Sequence, residues 1–123
     1  MDLSNFVEKA KELLTEAGYP DGIDLEITIP SNYEVHMQTG EVVAEQLKAA
    51  GINATINPVE WNTWLEDVYT GRKYQATISG IACDLTPGYM INRFQTDAKK
   101  NFINFSDEEY DKVWAEAQAT MDP

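Results

Sequence analysis

Two hydrophobic periods alternate along this chain, and their order reads helix, strand, helix, strand, helix, strand. Phe6, Ala10, Leu13, Leu14 and Ala17 recur at helical spacing after Ser4 or Asn5 as candidate caps, and Gly18 ends the run. Tyr19-Pro20-Asp21-Gly22 is a turn sequence. Ile23, Leu25, Ile27 and Ile29 then alternate with Asp24, Glu26 and Thr28, the pattern of a half-buried strand that stops at Pro30. A second helix is predicted from about Val35 to Ala50, with Thr39, Val43, Leu47 and Ala50 on one face and Gly51 closing it. Ile52, Ala54 and Ile56 alternate with Asn53, Thr55 and Asn57 in a second strand that ends at Pro58.

Trp61, Trp64, Leu65 and Val68 mark a short helix closed by Gly71, and a third strand is expected over Tyr74 to Ile81. Asp84 to Asn101 carries no regular period beyond a helical turn near Tyr89 to Phe94. Ser106 with Glu109 has the spacing of a capping box, and Tyr110, Val113, Trp114, Ala117 and Met121 form the stripe of a last helix. No internal repeat or low-complexity linker interrupts residues 1–123, so a single domain is expected.

Strand, helix, strand, helix, strand with short connections implies an α/β fold with a parallel βαβαβ core and flanking helices. Strands covered on both faces usually read as continuous apolar runs, whereas these alternate. One sheet face is therefore expected to be less well covered, or to meet something outside this chain.

Composition narrows the functional classes. Hydrophobic residues make up 43% of the chain and charged residues 24%, ordinary for a folded domain. The formal net charge of -12, from 21 acidic and 9 basic residues, repels phosphate backbones and argues against a nucleic-acid partner. One cysteine, Cys83, and one histidine, His36, allow neither an intrachain disulfide nor a Cys/His zinc set. No apolar run has the length of a bilayer span, and Met1-Asp2-Leu3 leads straight into a helix instead of a basic-then-apolar leader. That start fits a cytosolic protein or an excised piece of a longer one.

In open parallel sheets ligands bind beyond the carboxyl ends of the strands. Pro30-Ser31-Asn32-Tyr33, Val59-Glu60-Trp61 and Ala82-Cys83-Asp84 would share that edge. They offer stacking area from Tyr33 and Trp61, a carboxylate at Asp84 and hydrogen-bonding groups including Asn32, the make-up of a recognition surface. Each has a plainer reading. Asp84 fits a cap, Tyr33 a surface turn, one of Trp61 and Trp64 the core, Cys83 a small buried hydrophobe, and His36 a helix start. Catalytic patterns are thin: there is no Gly-x-Ser-x-Gly elbow and no glycine-rich phosphate loop. Asp107, Glu108, Glu109 and Asp111 lack calcium-loop spacing and suit the start of a helix, where its dipole favours acids. An acid/base pair of Asp84 and Glu60 is the enzymatic alternative.

The runs AKELLTEAGYPDG (Ala10 to Gly22), IPSNY (Ile29 to Tyr33), EQLKAAGINATINPVEWNTWLEDVYTGRKYQATISGIACD (Glu45 to Asp84) and NFSDEEYDKVWAEAQATMDP (Asn104 to Pro123) resemble bacterial extracellular solute-binding proteins of family 5. These are the oligopeptide, dipeptide and nickel receptors of ABC importers. The resemblance implies a periplasmic-binding-protein-like lobe, here truncated: residues 1–123 as part of the C-terminal ligand-binding lobe of a longer, two-lobed receptor. It further implies an extracytoplasmic, non-enzymatic protein with no cofactor and no bound metal of its own. Its partners would be a peptide or other small solute and an ABC permease, and the isolated lobe would be a monomer or weakly self-associating. Nickel chelates, sugars or opines are the alternative ligands within the family. In oligopeptide-binding relatives an aspartate after the third strand pairs with the ligand's α-ammonium, and Asp84 in GIACD occupies that position. Where relatives often carry aromatics around this loop, Ile81 and Leu85 stand here. The ligand-facing set expected is Asn32, Tyr33, Trp61, Ala82, Cys83 and Asp84.

Overall fold

A computed structural model describes residues 4–82 and 87–120, and the chain divides into two units after Gly80. In the first unit, helix α1 (Ser4–Glu16) ends in two backbone bonds, Gly18 N to Thr15 O at 3.0 Å and Tyr19 N to Leu14 O at 2.8 Å. This is the Schellman closure, and it needs Gly18 in the left-handed region, at φ 90°. The stripe α1 turns inward is Val7, Ala10 and Leu14, all half-buried. Phe6, Leu13 and Ala17, expected on the same face, flank this stripe and stand exposed. The apolar stripe is wider than the surface it covers.

Strands β1 (Ile23–Pro30) and β2 (Ile52–Val59) pair in parallel with Ile23 opposite Ile52 and Pro30 opposite Val59, and β3 (Ala76–Thr77) pairs in parallel on the other side of β1. The order β2-β1-β3 makes β1 the central strand. Ile23 N donates to Gly51 O and Ser31 N to Val59 O, so the odd-numbered amides of β1 face β2. Pro58 falls between those bonds on β2, and its missing N–H lies on the free edge, where proline is tolerated.

The third strand is much shorter than the Tyr74 to Ile81 expected from its alternation. Even-numbered amides of β1 face β3, and Glu26 N is already taken by the Gln75 side chain at 2.6 Å. The next donor but one would be residue 30, a proline with no N–H. Only the two pairs Ile27–Ala76 and Thr28–Thr77 remain.

Helix α2 (Glu34–Ala49) lies over the face that carries Ile29 and Ile56. Its buried contact is Gly40, where a Cβ would run into the Ile29 side chain and meet Ile56 Cδ1 at 3.4 Å. Thr39, assigned to that face by spacing, is one residue and roughly 100° away. It is exposed, with its hydroxyl donating to Val35 O at 2.7 Å. On the opposite face, α3 (Trp61–Thr63) continues as a π-helix (Trp64–Thr70) that buries Trp64 and Val68. Thr63, Asp67 and Val68 from this segment line one recess with Glu26, Thr28, Asn57 and Val59 of the strands. Asp24, Glu26, Asn53 and Thr55, nearer the amino ends of that face, stay exposed, and Asn53 Nδ2 donates to Asp24 Oδ1 across the two strands. Helices thus lie on both faces but cover one of them only at its carboxyl end, which explains the alternating sequence.

The second unit begins, among the described residues, with Ile81 and Ala82. It continues through helix α4 (Pro87–Ile91), a 3-10 turn (Asn92–Phe94) and helix α5 (Glu108–Ala119). Asn101, 2% exposed, ties the intervening loop: its Nδ2 donates to the Gln95 and Phe105 carbonyls, and its Oδ1 accepts from Phe105 N. The cap of α5 is Asp107, accepting from Tyr110 N at 2.7 Å, and not Ser106, whose hydroxyl lies 3.2 Å from that of Thr96. The inward stripe of α5 is Tyr110, Asp111 and Trp114, with Val113 and Ala117 exposed. Tyr110 donates its hydroxyl to Ile91 O. Desolvation, then the adjacent Asp111 charge, push its phenol above the usual tyrosine range.

Two substitutions test this packing. Gly22, at φ 89°, faces the Gly51 backbone so closely that a Cβ would run into the Gly51 carbonyl oxygen. Gly22→Ala is therefore expected to destabilise the chain by about 1–3 kcal/mol in urea denaturation; an unchanged midpoint would refute the close approach. Thr77→Val removes the acceptor of the buried Trp64 indole N–H and should lower stability by about 1–3 kcal/mol. An unchanged urea midpoint would show that this bond adds nothing to stability.

Candidate functional site

The carboxyl end of the sheet in the first unit carries a row of rings. β1 stops at Pro30 and turns, with Ser31, Asn32 and Tyr33 all exposed and Tyr33 leading into the first turn of α2. β2 stops at Val59, and one residue later Trp61 begins α3. These two connections bring the Tyr33 and Trp61 rings edge to face, with centroids 5.5 Å apart and planes at 79°. Edge-to-face pairing of this kind holds two aromatic surfaces at a fixed angle, one of them available to a third group.

Behind Trp61 the row is anchored. Trp61 and Trp64 stack at 5.2 Å with planes 8° apart, because a spacing of three residues on a helix puts their side chains on one side. Trp64 is 3% exposed, so it is the core member of the pair expected from the sequence, and Trp61 is half-buried. The Trp64 indole donates to Thr77 Oγ1 at 3.0 Å, and that hydroxyl donates in turn to Thr28 O at 2.6 Å. A relay from β1 through β3 therefore sets the plane of Trp64, and stacking passes that orientation to Trp61.

His36 stands in the first turn of α2, as its position in the sequence suggested, but it neither caps the helix nor is fully solvated. Half-buried, it packs its ring 5.0 Å from Tyr33, and a Cβ on Gly80 would touch its Nε2 at 3.2 Å. Its Nδ1 is shielded from solvent with no hydrogen-bond partner among the described residues. The available signal was its spacing of three from Tyr33 at the end of a strand.

Of the six expected ligand-facing residues, Asn32, Tyr33 and Trp61 share this edge of the first unit. Ala82 is exposed and belongs to the second unit. Cys83 and Asp84 lie outside the described residues. Glu60, the other member of the acid/base alternative, is exposed beside Trp61. Among the described residues no group of three histidine, cysteine or acidic side chains is placed to hold a metal ion. Tyr74, on the approach to β3, has its phenol raised above the usual range by burial, an effect the nearby Arg72 charge partly opposes. What the ring row offers chemically is flat, oriented apolar area beside open backbone, suited to holding a solute.

Comparison with known proteins agrees with this architecture. The sequence profile described as bacterial extracellular solute-binding proteins, family 5 Middle, matches residues 2–102. The chain is 27% identical over 119 residues to the dipeptide-binding protein DppE of Bacillus subtilis, covering 93% of this chain and 22% of that protein. It is 25% identical over 122 residues to YgiS of Escherichia coli, named a probable deoxycholate-binding periplasmic protein, covering 98% and 23%. The solved structure of Haemophilus influenzae OppA in complex with RPPGFSPFR superposes with a TM-score of 0.90 at 26% identity, covering 99% of this chain and 25% of that one. The chain thus spans about a quarter of the length of these relatives. With the fold and most of the sequence matched, this chain belongs to the bacterial extracellular solute-binding proteins of family 5.

Proposed function

We propose that this chain is part of the C-terminal ligand-binding lobe of a longer receptor, and that the receptor captures peptides outside the cytoplasm and hands them to an ABC permease. The observation that carries the reading is the oriented ring row of Tyr33, His36 and Trp61 at the carboxyl edge of a parallel sheet. Support comes from relatives whose names record dipeptide and oligopeptide binding and from a similar structure holding a nine-residue peptide.

In this reading the lobe is one wall of an interlobe cleft that closes on its ligand. Tyr33 and Trp61 supply stacking area, Asn32 and the backbone around Ala82 and Cys83 supply hydrogen bonds, and Asp84 pairs with the peptide's α-ammonium. Ligand chemistry is binding only, with no bond made or broken. A second reading keeps the site and changes the solute. An amphipathic carboxylate such as deoxycholate, for which the E. coli relative is named, would lie on the same aromatic surface.

Titration of the complete receptor separates the readings through its tryptophan fluorescence. Tri- to pentapeptides are expected to change the emission saturably, and Trp61→Ala to weaken them by about tenfold, as loss of one well-packed ring does. Asp84→Asn should weaken free peptides by about 10- to 100-fold while leaving N-acetylated peptides unaffected, since only the former present an ammonium to the carboxylate. Equal loss for both would remove Asp84 from the site. Saturation by deoxycholate with no response to peptides would replace the peptide reading with the second one.

A further inference from the structure

The second unit holds a cationic cluster that the proposed peptide site does not use. Arg93 follows α4 in the 3-10 turn and is 8% exposed. Its Nε is shielded from solvent and has no hydrogen-bond partner among the described residues, and none of the ion pairs found among them includes Arg93. A guanidinium stays protonated at any ordinary pH, so it cannot escape burial by losing its charge. Burying that charge without an anion is strongly unfavourable.

Arg93 lines a cavity of about 500 Å³ formed by the loop that leads from the 3-10 turn toward α5, and Lys99 and Lys100 line it too. Three of the chain's 9 basic residues thus meet at one place in a protein of net charge -12. Two carboxylates, Asp97 and Asp111, share the lining and leave it with one positive charge in excess. Asp111 is already engaged, accepting from Thr96 N at 3.0 Å.

We infer that this cavity is an oxyanion site, in which Arg93 takes a carboxylate or phosphate group with help from Lys99. Nε itself is closed to solvent, so an oxyanion in the cavity would pair with the guanidinium's terminal nitrogens, in the two-point geometry a guanidinium favours. The solvent-exposed Lys99 adds a second positive charge to the cavity lining. The site lies wholly within the second unit and stands apart from the peptide reading.

The test uses the 123-residue chain with inorganic phosphate and with acetate, each against sodium chloride at matched ionic strength. Proton–nitrogen NMR follows the Arg93 Nε–H resonance, and calorimetry follows affinity. A saturable shift with phosphate or with acetate, absent with chloride, is expected, and whichever anion saturates names the group. Arg93→Gln should weaken that anion by about 10-fold or more, as for a lost charged hydrogen bond. Lys99→Ala, which changes an exposed side chain, should weaken it about threefold. No saturable shift with either anion overturns the inference. So does affinity unchanged by Arg93→Gln or, should that variant fail to fold, unchanged by Lys99→Ala.

Discussion

A central strand must satisfy backbone donors and acceptors along both edges, and in this protein that requirement falls on β1. Its odd-numbered amides bond to β2 along a full eight-residue register, and its even-numbered ones face β3. The second edge is paired for only two residues, and side chains complete it. Gln75 accepts from Glu26 N, and the Thr77 hydroxyl donates to Thr28 O. Buried backbone groups left bare would each be costly, so side chains stand in where a strand runs out.

The ring row follows from that repair. Because Thr77 bonds to β1 through its hydroxyl, the same oxygen is free to accept from the Trp64 indole, and Trp64 is pinned in the core. The π-helical segment that begins at Trp64 places Val68 over the same face of the sheet. Trp61 inherits its plane from Trp64, and Tyr33 closes the row from the neighbouring connection. A recognition surface on loop residues is in this way held by regular elements. Such support keeps a binding site oriented without ordering it anew for each ligand.

The second unit solves a similar problem without a sheet. A loop of irregular backbone needs partners for its polar groups, and Asn101 supplies three from one buried amide. Asparagine suits this because it carries both donors and an acceptor on a short side chain. With that staple in place Phe102 is buried next to it in sequence, and the Asp107 cap starts α5 five residues further on. Among the described residues of this unit, Arg93 is the exception, with a buried side-chain nitrogen that has no partner, which is why its surroundings read as a site for an anion.

Hydrophobic period and turn chemistry were enough to read the order of elements, the parallel sheet and, to within about a residue, the ends of α1, β1 and α2 from the chain alone, while β2 runs past the expected Pro58 to Val59. Local signals dominate there: glycine at Gly18 and Gly51, proline at Pro30, and alternation that one half-covered face imposes. Resemblance in the runs around IPSNY and NPVEW led to the family, while the carboxyl-edge argument for a parallel sheet led to Tyr33 and Trp61. Other features were settled only by tertiary contact. The length of β3 depends on which β1 amides remain to be paired, and neither strand's own sequence contains that information. The inward faces of α1, α2 and α5 were misjudged at Phe6, Thr39 and Val113, because an apolar stripe can be wider than the surface it meets. His36 joined the ring row beside Tyr33 and against Gly80, and Arg93 became a buried charge, outcomes that periodicity does not encode. Periodicity records which residues prefer to leave water; packing geometry decides which of them do, and what they then touch.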